Sequence, residues 1–233
     1  MKKEVMVDMT SGRIVPQILR FAMPVLLGLV FQRIYNFADS YIVGHFLGDN
    51  ALAAVSVAGV GMYLVFSLII GLTTGVTVVM SQYYGAKEED KVVKTFFSSI
   101  FIALGMTILV TVIGLLTTRP LLIVLQTPAE VLDAAVLYLR IICAGSVGTM
   151  LYNWISAVLR SLGNSVVPLI CLGISSLLNI VCDILFVAVI PLGVGGAAFA
   201  TVLAQVISGV ACLLYAWKIL PMLRIRRDKL KLD

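Results

Sequence analysis

Two stretches decide what this chain can fold into. From Ala51 to Ala86, and again from Thr95 to Thr118, there is no Asp, Glu, Lys, Arg or His. A helix crosses the hydrocarbon core of a bilayer in about 20 residues, and a segment at that depth must satisfy its backbone N–H and C=O groups internally. Both runs are long enough to cross. Neither shows the short alternating strands of a membrane barrel. The whole chain of 233 residues is 61% hydrophobic and 12% charged, with a mean hydropathy of +1.08, whereas a soluble domain is about 25% charged. The expected fold class is therefore all-α and integral to the membrane, a six-transmembrane-helix bundle.

Proline, glycine and charge divide the apolar sequence into six spans, over about 16–47, 51–84, 92–117, 130–162, 165–190 and 193–220. Residues 1–15 form a polar N-terminal segment and 221–233 a basic tail. Pro16 suits a first helical turn, while Pro24 lies inside the first span, where its ring and missing N–H should bend the helix. Gly71-x-x-x-Gly75 in the second span has the spacing that permits close helix contact. Arg119 to Ala129, with Pro120 and Pro128, is expected to be a connector with room for a short interfacial helix, and Pro191 to Gly196 a turn. The N-terminal charges and apolar run lack a small-residue cleavage pattern, so the first span is expected to be retained and not removed as a signal peptide.

Six spans place both ends of the chain on one side. All but three of the 17 lysines and arginines fall on that side, the exceptions being Arg33, Arg119 and Arg140. By the positive-inside rule both termini are expected to be cytoplasmic. Topology thus accounts for the net charge of +5, and no nucleic-acid partner is implied.

The 12 acidic residues sort as sharply, all but Asp39 and Asp183 falling in tails, loops or helix ends. An ionisable group at lipid depth is expensive and marks a functional site by default. Gln32, Tyr35, Asn36 and Asp39 recur every three or four residues, so they share one face of the first span. Asn179 and Asp183 are an i, i+4 pair on the fifth span, and Thr201 with Gln205 another on the sixth. Two carboxylates, an amide oxygen and a hydroxyl make an all-oxygen set suited to a hard cation. One carboxyl group holding a proton is the alternative. The amides and hydroxyls are also residue types that bond helix to helix in membranes. Tyr138 and Asn153 on the fourth span are placed either to line the same cavity or to pack within the bundle. Cys143, Cys171, Cys182 and Cys212 have no metal-ligand spacing and are expected to be buried apolar groups. His45, the single histidine, argues against a His-based metal site. Gly193-x-Gly195-x-x-Ala198 superficially fits a dinucleotide fingerprint, but no strand precedes it.

Several passages together resemble one family. They are Phe21-Ala22-Met23-Pro24-Val25, Tyr35-Asn36-Phe37-Ala38-Asp39-Ser40, Gly71-Leu72-Thr73-Thr74-Gly75, Leu159-Arg160-Ser161-Leu162-Gly163-Asn164, Asn179-Ile180-Val181-Cys182-Asp183 and Gly195-Gly196-Ala197-Ala198-Phe199-Ala200-Thr201. In order and spacing the chain resembles the N-terminal six-helix lobe of a MATE (multidrug and toxic compound extrusion) transporter, of the bacterial and archaeal DNA-damage-inducible-like branch. The resemblance implies an antiporter that takes in Na⁺ or H⁺ and exports small organic, often cationic, compounds by alternating access, with no cofactor beyond the coupling ion. It implies a cation site at Asp39, Asn179, Asp183 and Thr201, with Na⁺ as one candidate ion. Tyr35, Tyr138 and Asn153 would line the cavity, and Pro24 would be where the first helix bends. The family has twelve helices in two lobes, so this chain is expected to need a second six-helix lobe, as a homodimer or a companion chain. A bacterial or archaeal plasma membrane is the implied location, and the tail resembles an inter-lobe linker. The alternatives are a lipid or lipid-linked-sugar flippase of the same superfamily, or a non-transporting fragment or helper subunit. An intramembrane aspartyl protease fits less well, because its Gly-x-Gly-Asp sequence is absent before Asp183.

Overall fold

The computed structural model describes residues 13–219. The basic tail over 221–233, the last residue of the expected sixth span and most of the N-terminal segment lie outside the described residues. Within them the chain forms α1 (Ile14–Leu47), α2 (Asp49–Gly85), α3 (Glu89–Val124), α4 (Ala129–Ala144), α5 (Ser146–Ser161), α6 (Val166–Asp183), a π-helical segment (Ile184–Val189) and α7 (Gly193–Ile219). Five of these stretches are long and apolar enough to span a membrane alone, and α4 with α5, bent by 50°, completes a sixth. The lobe is the expected helical bundle.

Three spans differ from their sequence pattern. The fourth, expected as one helix over 130–162, breaks at Gly145 into α4 and α5. Glycine–serine pairs are recurrent kink sites, and here α7 packs against the break. A Cβ at Gly148 would lie 2.6 Å from Val206 Cγ2 and 3.0 Å from the Val206 backbone nitrogen. Ser146 Oγ is anchored to Thr111 Oγ1 of α3 at 2.6 Å. The third span was expected to end at 117 and give way to a connector, yet α3 runs through Pro120 to Val124. Burial overrides the proline. Thr118 and Leu122, one turn apart, are 1% and 0% exposed, and the Thr118 hydroxyl donates to the Gly114 carbonyl. The fifth span changes helical pitch directly after Asp183, where the Ile190 N–H bonds the Leu185 carbonyl five residues back at 2.7 Å.

The remaining joints follow residue chemistry. Gly48 alone links α1 to α2 with φ +85°, a left-handed conformation that suits glycine. Asn164 Oδ1 accepts the Val167 N–H at 3.1 Å and so caps α6. Tight packing runs along α7, where Ala197, Ala198 and Ala200 are fully buried and small side chains let backbones approach. At the heart of the lobe Trp154 donates Nε1–H to Ser99 Oγ at 2.9 Å and packs 5.3 Å from the Phe96 ring. All four cysteines are buried. The Gly71 and Gly75 pair makes no close helix contact within the chain, since a Cβ at either would meet nothing within 4 Å. α1 is peripheral: 6% of its most apolar stretch is buried, against 44% for Val166–Val189.

Candidate functional site

Four helices deliver polar groups to one place. α1 packs mainly on α6, which turns Asp39 inward to 7% exposure and leaves Tyr35 half-buried one turn earlier. α6 presents Ser175, Asn179 and Asp183 at four-residue intervals, all buried, with Asp183 at 0% exposure. α7 contributes Thr201 and Gln205, and α4 contributes Tyr138, 5% exposed. Bonds across the α6–α7 seam hold this register. Ser175 Oγ donates to the Ala204 carbonyl at 2.8 Å and Ser208 Oγ to the Cys171 carbonyl at 3.1 Å. Asn179 Nδ2 reaches Thr201 Oγ1 at 3.5 Å, while Thr201 donates its own proton to the Ala197 carbonyl at 3.1 Å.

The side chains form one electrostatic cluster. Gln32 and Gln205 lie near the Tyr35 phenol and Thr201 near the Tyr138 phenol, with Asp39 and Asp183 in the same neighbourhood. Among the described residues the carboxylate oxygens Asp39 Oδ1, Asp183 Oδ1 and Asp183 Oδ2 have no lysine or arginine partner. Both carboxylate oxygens of Asp183, Asp39 Oδ1, Asn179 Oδ1 and Gln205 Oε1 are buried without a hydrogen-bond partner. An orphaned buried polar atom costs about 1–3 kcal/mol and more when charged. These oxygens all need positive charge or a proton donor.

A cavity of about 10 Å³ adjoins Asn179 and Gln205, walled also by Tyr35, Ser175, Ser176, Thr201 and Ala204, and neither aspartate lines it. That is about the room one water occupies. Oxygen donors of this kind suit a hard monovalent cation, and no cluster of three His, Cys, Asp or Glu that would hold a transition metal occurs among the described residues.

Not every residue singled out from the sequence joins the cluster. Asn36 is exposed on α1, and Asn153 Nδ2 bonds the Thr149 carbonyl of its own helix at 2.8 Å. Arg33 and Arg140 are exposed. Pro24 lies inside α1, well before Asp39. Sequence reasoning overlooked Ser175 and Ser176, although the 175–179–183 spacing marks one helical face. It also overlooked the π-helical segment, a feature frequent at functional sites. There the Phe186 carbonyl sits 2.7 Å from where a Gly196 Cβ would be, which brings the start of α7 close against the end of α6.

Comparison with known proteins places this geometry. The MatE family model matches residues 24–185, a range that carries both aspartates. The chain belongs to the MATE family. It is 34% identical over 212 residues to the probable multidrug resistance protein YpnP of Bacillus subtilis, covering 91% of this chain and 47% of that protein. DNA damage-inducible protein F of Escherichia coli is 27% identical over 90% of this chain and 46% of its own length. Among solved structures, MATE in the bent conformation superposes with a TM-score of 0.84 at 26% identity, over 91% of this chain and 47% of that one. A MOP superfamily transporter from Pyrococcus furiosus gives 0.86 at 26% identity, over 98% and 50%. The chain thus spans about half the length of the MATE relatives it matches.

Proposed function

We propose that this chain is one lobe of a cation-coupled antiporter that exports small organic, mainly cationic, compounds, with Asp39 and Asp183 as the coupling site. The observation that carries this reading is the set of unpartnered buried oxygens on Asp39, Asp183, Asn179 and Gln205. Polar groups kept merely to join helices would find one another. These instead stay buried and unpaired, and a positive charge would satisfy them. Na⁺ or a proton arriving there offsets one of the two negative charges, and the repulsion between Asp39 on α1 and Asp183 on α6 falls.

That switch supports a mechanism for alternating access. Asp39 follows Pro24 by 15 residues, a lever of roughly 22 Å at 1.5 Å per residue. Loading the aspartates draws α1 onto α6 and unloading releases it, so the ion biases one bend of α1 over another. The open face of α1, with Gln32 and Asn36 exposed, is where a second lobe belongs, since polar groups are poorly tolerated against lipid. We assign that lobe to a second copy or a companion half, in a bacterial or archaeal plasma membrane with both termini cytoplasmic. A lipid flippase of the same superfamily would want cationic side chains in the cavity, and the exposed Arg33 and Arg140 lie away from the cluster.

The test is cation binding and cation-driven export in proteoliposomes by the chain and by Asp39→Asn and Asp183→Asn. Each substitution should abolish coupling while leaving a folded, inserted protein, because replacing a buried carboxylate removes a desolvation cost. Unchanged binding and export in both variants would overturn the assignment.

A further inference from the structure

One cation of the lobe stands at lipid depth with nothing opposite it. Arg33 is exposed on α1, on the side away from Tyr35 and Asp39, which turn towards the cluster. It comes 13 residues after Arg20 and 14 before Leu47, where α1 ends. At 1.5 Å per residue that is roughly 20 Å from either. The hydrocarbon core of a bilayer is about 30 Å thick, so Arg33 lies near mid-span, too deep for its side chain to snorkel out to water. A groove of about 600 Å³ runs beside it, and its neighbours there are Leu29, Val30, Ile34 and Phe37. These are all exposed and apolar, so the surroundings suit packing against another helix surface and give water little to hold. Lipid offers no counter-charge at this depth, and an arginine left against hydrocarbon is costly.

A copy of this chain cannot answer that charge. Among the described residues no ion pair involves Arg33. Ten of the 12 acidic residues fall in tails, loops or helix ends. The two at lipid depth, Asp39 and Asp183, are 7% and 0% exposed. In a two-fold pair the same patch is used on both chains, so a parallel copy sets a second Arg33 at the same level and adds repulsion. We propose that the lobe docking on this face of α1 differs in sequence from this one and presents a carboxylate to Arg33 at mid-span. Cations within membrane bundles pair with such groups, and the apolar groove supplies the packing around the pair. The proposal rests on reading the chain as one lobe, and it narrows what the other lobe is.

The experiment supplies the missing carboxylate on a copy. Two differently tagged chains, both carrying Asn36→Cys, are reconstituted together in vesicles and oxidised, and crosslinks between the tags are measured. The native cysteines are buried. Chains with Arg33 should crosslink to Arg33→Glu chains about tenfold or more above either like pair, the low end for a close interfacial charge pair. Arg33→Leu mixed with Arg33 chains should stay at the level of Arg33 chains alone. Tryptophan fluorescence unchanged in each variant verifies the fold. Arg33 chains that crosslink to each other as readily as to Arg33→Glu overturn the proposal. So does a mixed pair no more frequent than the like pairs, or a gain that Arg33→Leu reproduces. Cation binding by Asp39→Asn and Asp183→Asn is read without any crosslink, so failure of the coupling site and failure of the docking face are told apart.

Discussion

The α5–α7 seam allows a prediction in which one term cancels. Alanine at Gly148 and alanine at Gly75 both gain about 1 kcal/mol of helix propensity. Their surroundings differ completely. At Gly75 a Cβ meets nothing within 4 Å, whereas at Gly148 it lies 2.6 Å from Val206 Cγ2, 3.0 Å from Val206 N and 3.2 Å from Val206 Cα. Backbone atoms do not swing aside as a side-chain tip can, so α7 must move. Overpacking of this kind costs about 1–3 kcal/mol. The difference between the variants should therefore be about 1–3 kcal/mol, or very roughly 2–12 °C in melting temperature for a domain of this size. Thermal unfolding in detergent, followed by fluorescence of the buried Trp154, measures it. The same displacement has a functional reading. Val206 follows Gln205, and the bond between Asn179 and Thr201 is already 3.5 Å long. Gly148→Ala should therefore weaken cation binding as well, while Gly75→Ala leaves it unchanged. Coincident melting of the two variants would refute the packing argument, and undiminished cation affinity in Gly148→Ala would separate the seam from the site.

Other perturbations probe the remaining joints. Pro24→Ala restores an N–H for the Arg20 carbonyl and should stiffen α1, raising stability by up to about 3 kcal/mol while slowing export turnover; unchanged kinetics would reduce Pro24 to tolerated packing. Trp154→Phe keeps the ring against Phe96 but loses the bond to Ser99, so thermal unfolding should report a loss of about 0.6–1.7 kcal/mol. Asn36→Cys adds an exposed thiol to a chain whose four native cysteines are buried, so a parallel homodimer should crosslink at position 36, whereas a companion-lobe pair should not.

Much of the lobe was legible because lipid leaves few options. Long uncharged runs can only be helices, and the two aspartates stood out from ten acidic residues at loops and ends. What the sequence hid depends on packing between distant segments. The break at Gly145 requires Val202 and Val206 of α7, more than fifty residues away. The persistence of α3 through Pro120 requires burial of Thr118 and Leu122, which local propensity does not encode. Conversely, Gly71-x-x-x-Gly75 matched a helix-docking pattern and meets no helix in this chain. The inward turn of Asp39 while Asn36, three residues earlier, stays exposed follows from where α6 lies.

The way hydroxyls and carboxylates are satisfied explains why one place in the lobe is chemically open. Buried threonine and serine hydroxyls can bond a carbonyl three or four residues back on their own helix. Thr73 does so with Ile69 at 2.9 Å, Thr107 with Ala103 at 2.7 Å and Ser176 with Leu172 at 2.8 Å. Such residues can sit anywhere in an apolar bundle at little cost. A carboxylate has no proton to donate, and every N–H in the middle of a helix is already spent. Asp39 and Asp183 therefore cannot be satisfied by their own helices, nor can the carbonyl oxygens of Asn179 and Gln205. Apart from Ser156 Oγ, the unpartnered buried side-chain atoms among the described residues are all on these four side chains. Three helices have gathered acceptors that helical geometry cannot serve, at a depth where water is scarce, and a mobile positive charge is what such a group can bind and release.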